Sequence, residues 1–509
     1  MATVNAAAER ERALDRLIAF CRRRPHAALL WLLGLHLAVW TLLPPLVCPN
    51  LQLDLVEDLA LGKEWQLGYW KHPPLPWWLA DAVYRLTGSI DSVYLLGPLA
   101  AVLCFYLVWL LARDVVGPFQ ALIAVLVLEG IHFYNFSVVK FAHDQGQLPF
   151  WALTGLFFHR ALTRQRAVDW LIAGAGLALA FWSKYAAFPL AVTLGLFLLL
   201  DPVARRAWRT SGPYLMALAF AVVIAPNAWW LVETNFMPLQ YVDARAVTAS
   251  HWYHYLVYPL RWTSSQIAYT LPAIALLALL YAPRARSRPP DNAQAAFDRR
   301  LTTALALGPF AATTLIALLL GRLPIAMWGY PLWSFAPLAV VMWFGPVTDV
   351  ARLRRFALGA IAVFAAFPLA YAAIEVFEPA VRDRPKATQF PGQRMADLVT
   401  KAWRDKYGTP LLYAAGSEFA VNNLAVYSPD RPHVVVHGRP QLSPWVDMND
   451  LRRRGAVIVW EGLPDSAQVE EWRRTFPGMT IQPPLVLPRQ TWFAVRPTEI
   501  QYAFLPPRP

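Results

Sequence analysis

The sequence predicts a polytopic α-helical membrane protein of about eleven spans with a small extracytoplasmic α/β domain at its C-terminal end. Three observations predict it. Of 509 residues, 57% are hydrophobic and 14% aromatic, and the mean hydropathy is +0.36, more apolar than a large soluble enzyme sustains. Apolar stretches of roughly 17 to 25 residues recur as far as residue 376. Beyond Phe377 the chain turns polar, and helix-like and strand-like periods alternate.

Residues 1–25 form a basic N-terminus, with Arg10, Arg12, Arg16, Arg22, Arg23 and Arg24 ahead of the first apolar run. That run, His26 to Leu46, reads as a retained span because no small-residue cleavage site follows it. Further spans are expected near 92–112, 118–136, 147–162, 167–182, 185–200, 212–232, 264–282, 301–320, 330–347 and 356–376. The long run over 167–200 must break at Ser183, Lys184 and Tyr185. Arginines cluster in alternate connections: Arg113, then Arg160, Arg164 and Arg166, then Arg205, Arg206 and Arg209, then 284–300, then Arg352, Arg354 and Arg355. This alternation puts the N-terminus in the cytoplasm and the C-terminus on the opposite side. Residues 284–300, with Pro289 and Pro290, read as a flexible cytoplasmic linker.

Residues 26–376 are therefore expected to form the membrane domain, with an outer loop at 48–91, and 377–509 the outer α/β domain. The outer loop should fold as short helices at the interface, where Trp65, Tyr69, Trp70, Trp77 and Trp78 would be at home. In the C-terminal region the periods predict helices at 390–406 and 418–427 and strands at Leu411–Ala414, His433–Val436 and Ala456–Trp460.

The net charge of +13 follows from the cytoplasmic arginines. No basic face interleaved with exposed aromatics marks a nucleic-acid partner. Cys21, Cys48 and Cys104 fall in three separate environments and make neither a disulfide framework nor a CxxC metal site. No Gly-rich phosphate loop, serine elbow or HExxH motif appears, so nucleotide-dependent and hydrolytic mechanisms lack a signature.

Chemistry concentrates in the first outer loop, where Asp54, Glu57 and Asp58 precede the run Gly68-Tyr69-Trp70-Lys71-His72-Pro73-Pro74-Leu75. A carboxylate there can take the proton of an acceptor hydroxyl, and Lys71 or His72 can neutralise a phosphate leaving group. A solvated loop with ordinary surface charges fits the same composition. Lys184 is either a phosphate partner or a snorkelling helix end. His251, Tyr253 and His254, near Arg245 and Arg261, are candidates for an acceptor cleft or for interfacial anchors. Arg322 is either a phosphate contact or a loop-end charge, and His132 reads as a packing residue.

Asp54 followed by His72-Pro73-Pro74-Leu75 resembles the first-loop signature of membrane glycosyltransferases of the GT-C architecture. The branch is the bacterial one of lipid A aminoarabinose and galacturonic acid transferases, distantly similar to protein O-mannosyltransferases. Phe141 to Leu148, Ser183-Lys184-Tyr185, Pro226 to Trp230 and Met327 to Pro331 resemble further family segments in the same order. The resemblance implies inverting transfer of a sugar from a polyprenyl-phosphate donor at the outer face of a bacterial cytoplasmic membrane. Asp54 would be the general base, Asp144 a second acid of the cavity, and His72, Lys71, Lys184, Tyr185 and Arg322 the donor-phosphate contacts. Where the family often has acidic residues, this chain has Leu55 and Lys71, so no divalent metal and no other cofactor is expected, and Glu57 or Asp58 are alternative bases. The acceptor is left open among lipid A, another glycolipid, a polysaccharide and a protein hydroxyl. A flippase and a non-catalytic envelope assembly protein are the rival classes. Charges inside discontinuous spans would mark the flippase.

Overall fold

The computed structural model describes residues 2–245, 247–281, 292–382, 386–462, 467–493 and 495–508. The chain forms two compact units. One comprises Met1–Thr41, Gly97–Val139 and His143–Leu369; the other comprises Leu42–Leu96, Lys140–Ala142 and Ala370–Pro509.

The protein is a polytopic α-helical membrane protein. Among the described residues, six helices are long and apolar enough to cross a bilayer: Pro25–Val47, Ile90–Val116, Gly212–Glu233, His254–Leu280, Ala293–Leu320 and Val350–Arg382. This corrects the expectation of about eleven. The other five apolar stretches fold as Pro118–Leu128, Leu148–Arg164, Ala167–Ser183, Phe188–Leu200 and Ala336–Phe344, of 11, 17, 17, 13 and 9 residues. A helix rises about 1.5 Å per residue, so an 11-residue helix covers about half of a 30 Å hydrocarbon layer.

Hydropathy counts apolar residues, whereas crossing demands unbroken helix. In the stretch 118–136 the helix stops at Leu128, and the chain turns through the short 3₁₀ segment His132–Tyr134. Buried polar groups hold it there: Glu129 pairs with His36 Nδ1 at 3.0 Å and accepts from Asn135 Nδ2 at 3.0 Å, while Trp40 Nε1 donates to Asn135 Oδ1. His132 stacks on Phe136 and packs against Tyr269, in the packing role its sequence context suggests.

The anticipated linker at 284–300 lies partly outside the described residues. Its last part is helical, because Ala293–Leu320 starts well before residue 301, with the Asn292 side chain accepting from Ala295 N–H as an N-cap. The break at Ser183, Lys184 and Tyr185 is present. Ala167–Ser183 ends, Lys184 is extended at φ −160°, ψ 132°, and Tyr185–Ala187 turns into Phe188–Leu200.

The second unit combines the loop between the first two long helices with the C-terminal region. Its sheet runs, in spatial order, His433–Val435, Tyr413–Gly416, Ala456–Glu461, Thr498–Leu505 and Thr480–Ile481, with Leu485–Leu487 also pairing Thr498–Leu505. The first three strands are parallel, with Ala414 opposite Val434 and Val457, and Ala456–Glu461 pairs antiparallel to Thr498–Leu505. Helices Gly392–Tyr407 and Glu418–Tyr427 alternate with these strands, as a parallel arrangement requires. Inward residues such as Ala415, Val435, Ile458 and Trp472 form the core on one face.

The first loop folds as helices Leu53–Gly62 and Leu75–Thr87. Its aromatics do not all sit as interfacial anchors. Tyr69 and Trp77 are fully buried, ring centroids 4.2 Å apart, and Tyr69 Oη donates to Leu61 O. They are the loop's own core, which a short segment needs to hold a fixed shape. Hydrogen bonds stitch the loop to the C-terminal region: Asn50 N–H donates to Thr388 O, and Leu51 N–H to Tyr427 Oη.

Candidate active site

Asp54 occupies the first turn of Leu53–Gly62, and Glu57 and Asp58 follow three and four residues later. That spacing puts all three carboxyls on one face of the helix. Asp54 is half-buried, whereas Glu57 and Asp58 are buried.

Lys71 enters from the turn between the two loop helices, and its Nζ lies 2.6 Å from Glu57 Oε2 and 2.9 Å from Glu418 Oε1. Its ammonium also sits 5.3 Å from the Trp70 ring, within cation–π range. Glu418 and His437 come from the C-terminal region, and His437 Nε2 lies 3.6 Å from Glu418 Oε2.

Local backbone geometry places both. Gly416 has φ +130°, and a Cβ there would meet Val459 O at 1.9 Å, so the strand can turn directly into the helix carrying Glu418 only with glycine. His437 adopts φ 54°, a left-handed conformation unusual for a side-chain-bearing residue, and its carbonyl is held by Trp472 Nε1 at 2.8 Å.

One ammonium faces several carboxyls, and burial together with their mutual charge shifts each of them. Burial is the main cause raising Glu57 to about 8; Lys71 opposes it, while Glu418 and Asp54 add to the rise. Burial, then Asp54 and Glu57, hold Asp58 well above the usual carboxylate range. At Glu418 burial is outweighed by Lys71 and His437, which keep its carboxyl below its ordinary value. Lys71 is raised: burial works against its charge, but Glu57 and Glu418 together win. Burial lowers His437 despite Glu418. Burial thus pushes Glu57 and Asp58 toward their protonated forms, while Lys71 holds Glu418 toward its ionised form.

In the other unit, the segments singled out in the sequence meet one another. Asp144, in the single turn His143–Gly146, pairs with Lys184 Nζ at 2.6 Å, both side chains about nine-tenths buried. Ser183 Oγ donates to Gly146 O at 3.1 Å, and Tyr185 Oη donates to Asn227 Oδ1 at 3.2 Å. The extended backbone of Lys184 turns its side chain out of the helical register to reach Asp144.

The remaining candidates lie elsewhere. Arg322 pairs with Asp243, next to a two-stranded ladder in which Thr248 faces Arg322 and Val247 faces Leu323. His254 Nδ1 accepts from Ser250 N–H at 3.1 Å, and its ring stacks on Tyr258. His251 stacks on Tyr253 on an exposed segment. His72 sits in the turn beside Lys71, and its backbone carbonyl accepts from Tyr69 N–H. Among the described residues no group of three or more His, Cys, Asp or Glu side chains is placed to hold a metal ion.

Sequence reasoning misses Glu418 and His437. Glu418 lies 347 positions from Lys71, and only its first-turn place on a predicted helix is visible in the sequence.

Known proteins share parts of this sequence and its fold. Residues 71–230 match the family model described as dolichyl-phosphate-mannose-protein mannosyltransferase. A segment of 194 residues is 32% identical to a lipid A galacturonosyltransferase, RgtD, of Rhizobium johnstonii, covering 36% of this chain and 38% of that relative's length. The fold is similar to that of ArnT from Cupriavidus metallidurans bound to undecaprenyl phosphate, with TM-score 0.61 at 14% identity, over 94% of this chain and 98% of the other. The apo form of the same protein gives TM-score 0.55 at 15% identity, with the same coverage.

Proposed function

We propose that the chain is a glycosyltransferase of the GT-C, protein mannosyltransferase-like kind, as the partial family match over residues 71–230 and the shared fold support, and that it transfers a sugar from a polyprenyl-phosphate donor to an envelope acceptor. The reaction would take place at the outer face of the bacterial cytoplasmic membrane, with the N-terminus inside and region 377–509 outside. The acceptor would be a glycolipid, with lipid A first, or a polysaccharide. Membrane lipid is the medium through which donor and acceptor reach it.

The observation that carries this reading is the carboxylate face of Leu53–Gly62 set against Lys71. Inverting transfer needs an ionised carboxylate within reach of the acceptor hydroxyl, and a cation where the phosphate charge develops. Asp54 is the least buried carboxyl of the three, whereas Glu57 and Asp58 are buried and burial raises both carboxyls. It takes the proton of the hydroxyl as its oxygen attacks the anomeric carbon, and the bond to the phosphate oxygen breaks with inversion. Lys71, with His72 beside it, meets the negative charge of the departing polyprenyl phosphate. Asp144, Lys184 and Tyr185 belong to a second polar set in the other unit, with Asp144 as a further acidic candidate and Lys184 and Tyr185 as further donor-phosphate candidates. Arg322 would be a further donor-phosphate contact, and His251, Tyr253 and His254 would line the acceptor cleft. No step requires a metal ion or a nucleotide.

The test is Asp54→Asn assayed for sugar transfer in membranes, with envelope glycolipids of a deletion strain analysed by mass spectrometry. The expected loss is about 10²- to 10⁴-fold. Undiminished transfer removes Asp54 as base. A glycolipid profile unchanged by deletion removes the glycolipid acceptor.

A further inference from the structure

Lys71 has two carboxylate partners that differ in kind. Glu57 Oε2, at 2.6 Å, belongs to a side chain 9% exposed on the same loop; Glu418 Oε1, at 2.9 Å, belongs to one 31% exposed and contributed by the C-terminal region. An anion approaching Lys71 from solvent meets Glu418 first, and two anions cannot share one ammonium at close range without strong repulsion. Behind Glu418 stands His437, its Nε2 3.6 Å from the other carboxylate oxygen and its ring 5.4 Å from Trp70. Glu418 therefore has somewhere to put its charge when it leaves Lys71.

We infer that Glu418 is a displaceable counter-anion: it holds Lys71 before the donor binds, yields Lys71 to the donor phosphate, and returns to expel the polyprenyl-phosphate product. The inference rests on the reading of Lys71 as a donor-phosphate cation. Glu418 acts through Lys71 and is a positioning residue, not a catalytic one. On displacement, His437 takes a proton from solvent, so that its imidazolium keeps the Glu418 carboxylate compensated. When the product leaves, that proton returns to solvent and Glu418 pairs with Lys71 again. The C-terminal region thereby sets how tightly the donor phosphate is held.

The sign of the effect separates this role from a structural brace. Removing a competing negative charge a few Å from an anion site strengthens anion binding, whereas removing a brace weakens the protein and leaves the affinity alone. The probe is undecaprenyl phosphate, titrated into the full chain in nanodiscs. Glu418→Gln is expected to bind it roughly tenfold more tightly than the parent, and in turnover to lower both KM for the donor and kcat, because release slows. Glu418→Asp keeps the charge and should behave as the parent does.

Undecaprenyl phosphate takes up its own second proton in this range, so the readout is the ratio of the parent's affinity to that of His437→Gln: the ratio should rise as pH falls through the range of His437, whose imidazolium then neutralises Glu418, and the corresponding dependence should be lost when Glu418→Gln is compared with the double variant. The other charged groups around it are Asp54, Glu57, Asp58, Lys71 and Arg439. Of these, Glu57 is raised by burial and in part by Glu418, so its step stays in His437→Gln and moves down in Glu418→Gln. Lys71→Met is the reference. If it binds undecaprenyl phosphate as tightly as the parent, the assignment of Lys71 to the donor falls and this inference with it. If Lys71→Met binds weakly but Glu418→Gln binds no more tightly than the parent, this inference alone is refuted. Should Glu418→Gln not fold, absence of the His437-dependent step in the parent protein refutes it equally.

Discussion

The Asp144–Lys184 pair permits a stability prediction that can be worked through from its geometry. The two charges are 2.6 Å apart, with side chains 8% and 11% exposed, so neither has an adequate solvent alternative. Lys184→Met keeps the length of the side chain and removes the charge. Asp144 is then left buried and unpaired, and it responds by taking a proton, since burial already pushes its carboxyl up and Lys184 is what opposes that. The cost of holding that proton at pH 7 is bounded by the distance from its ordinary value of 3.8, about 4 kcal/mol at about 1.4 kcal/mol per unit. This agrees with the roughly 3–5 kcal/mol lost when one partner of a buried pair is removed. At pH 5 the bound shrinks to about 2 kcal/mol. The sign is that of an acid whose folded-state pKa is raised: stability is lost as pH rises. For a chain of this size, about 1 kcal/mol per degree of unfolding entropy converts these to about 4 °C at pH 7 and about 2 °C at pH 5. The assay is thermal unfolding in detergent at both pH values. The double variant Lys184→Met with Asp144→Asn should recover most of the loss, because no charge is left stranded. If the pair also orients substrate, transfer activity stays low in the double variant although stability returns. An equal loss at pH 5 and pH 7 would refute the unpaired-carboxylate reasoning.

Two further outcomes follow from the first-loop cluster and its neighbours. Glu57, raised to about 8 chiefly by burial, binds a proton in the folded chain that the unfolded chain has released above its ordinary 4.5, so stability should fall as pH rises across that interval. Melting temperature followed from about pH 6 to about pH 8.5 should decline, and Glu57→Gln should flatten the decline; a variant that retains the full slope assigns it elsewhere. Gly416→Ala places a Cβ 1.9 Å from Val459 O at φ +130°, and should cost several kcal/mol. The check is the yield of folded protein and its melting temperature, and a Gly416→Ala variant as stable as the parent would show that the turn relaxes freely.

Much of this architecture is legible in the sequence, and the reasons are local. Helices Gly392–Tyr407 and Glu418–Tyr427 and strand Ala456–Glu461 announce themselves by periodicity and by the glycines and prolines between them. The break at Lys184 is legible because one lysine and one serine interrupt an otherwise continuous apolar run. The number of long helices is not, because Glu129, His36 and Asn135 satisfy one another inside the protein, and a hydropathy pattern cannot see that such a cluster ends a helix. The inward-facing Tyr69 and Trp77 read as anchors for a related reason: aromatic content marks an interface or a core equally. Asp54, Glu57, Asp58 and Lys71 can be nominated from a short stretch of loop. Glu418 and His437 cannot, since their only link to that stretch is made in three dimensions.

The charge arrangement of the loop also resolves a conflict in the proposed chemistry. Asp54, Glu57, Asp58 and Glu418 set beside a single lysine would repel a phosphate if all were ionised. Burial raises Glu57 and Asp58, which favours their neutral forms and lightens the negative charge beside Asp54. Glu418 cancels Lys71 until a stronger anion arrives. The same helix face can then serve both ends of the reaction, because Asp54 is partly exposed while Glu57 and Asp58 are buried with raised carboxyls. Moving Asp54 one turn deeper would give it the environment of Asp58 and lose the base. The partial exposure of Asp54 at the start of Leu53–Gly62, more than the presence of an aspartate there, is therefore the property on which the proposed reaction depends.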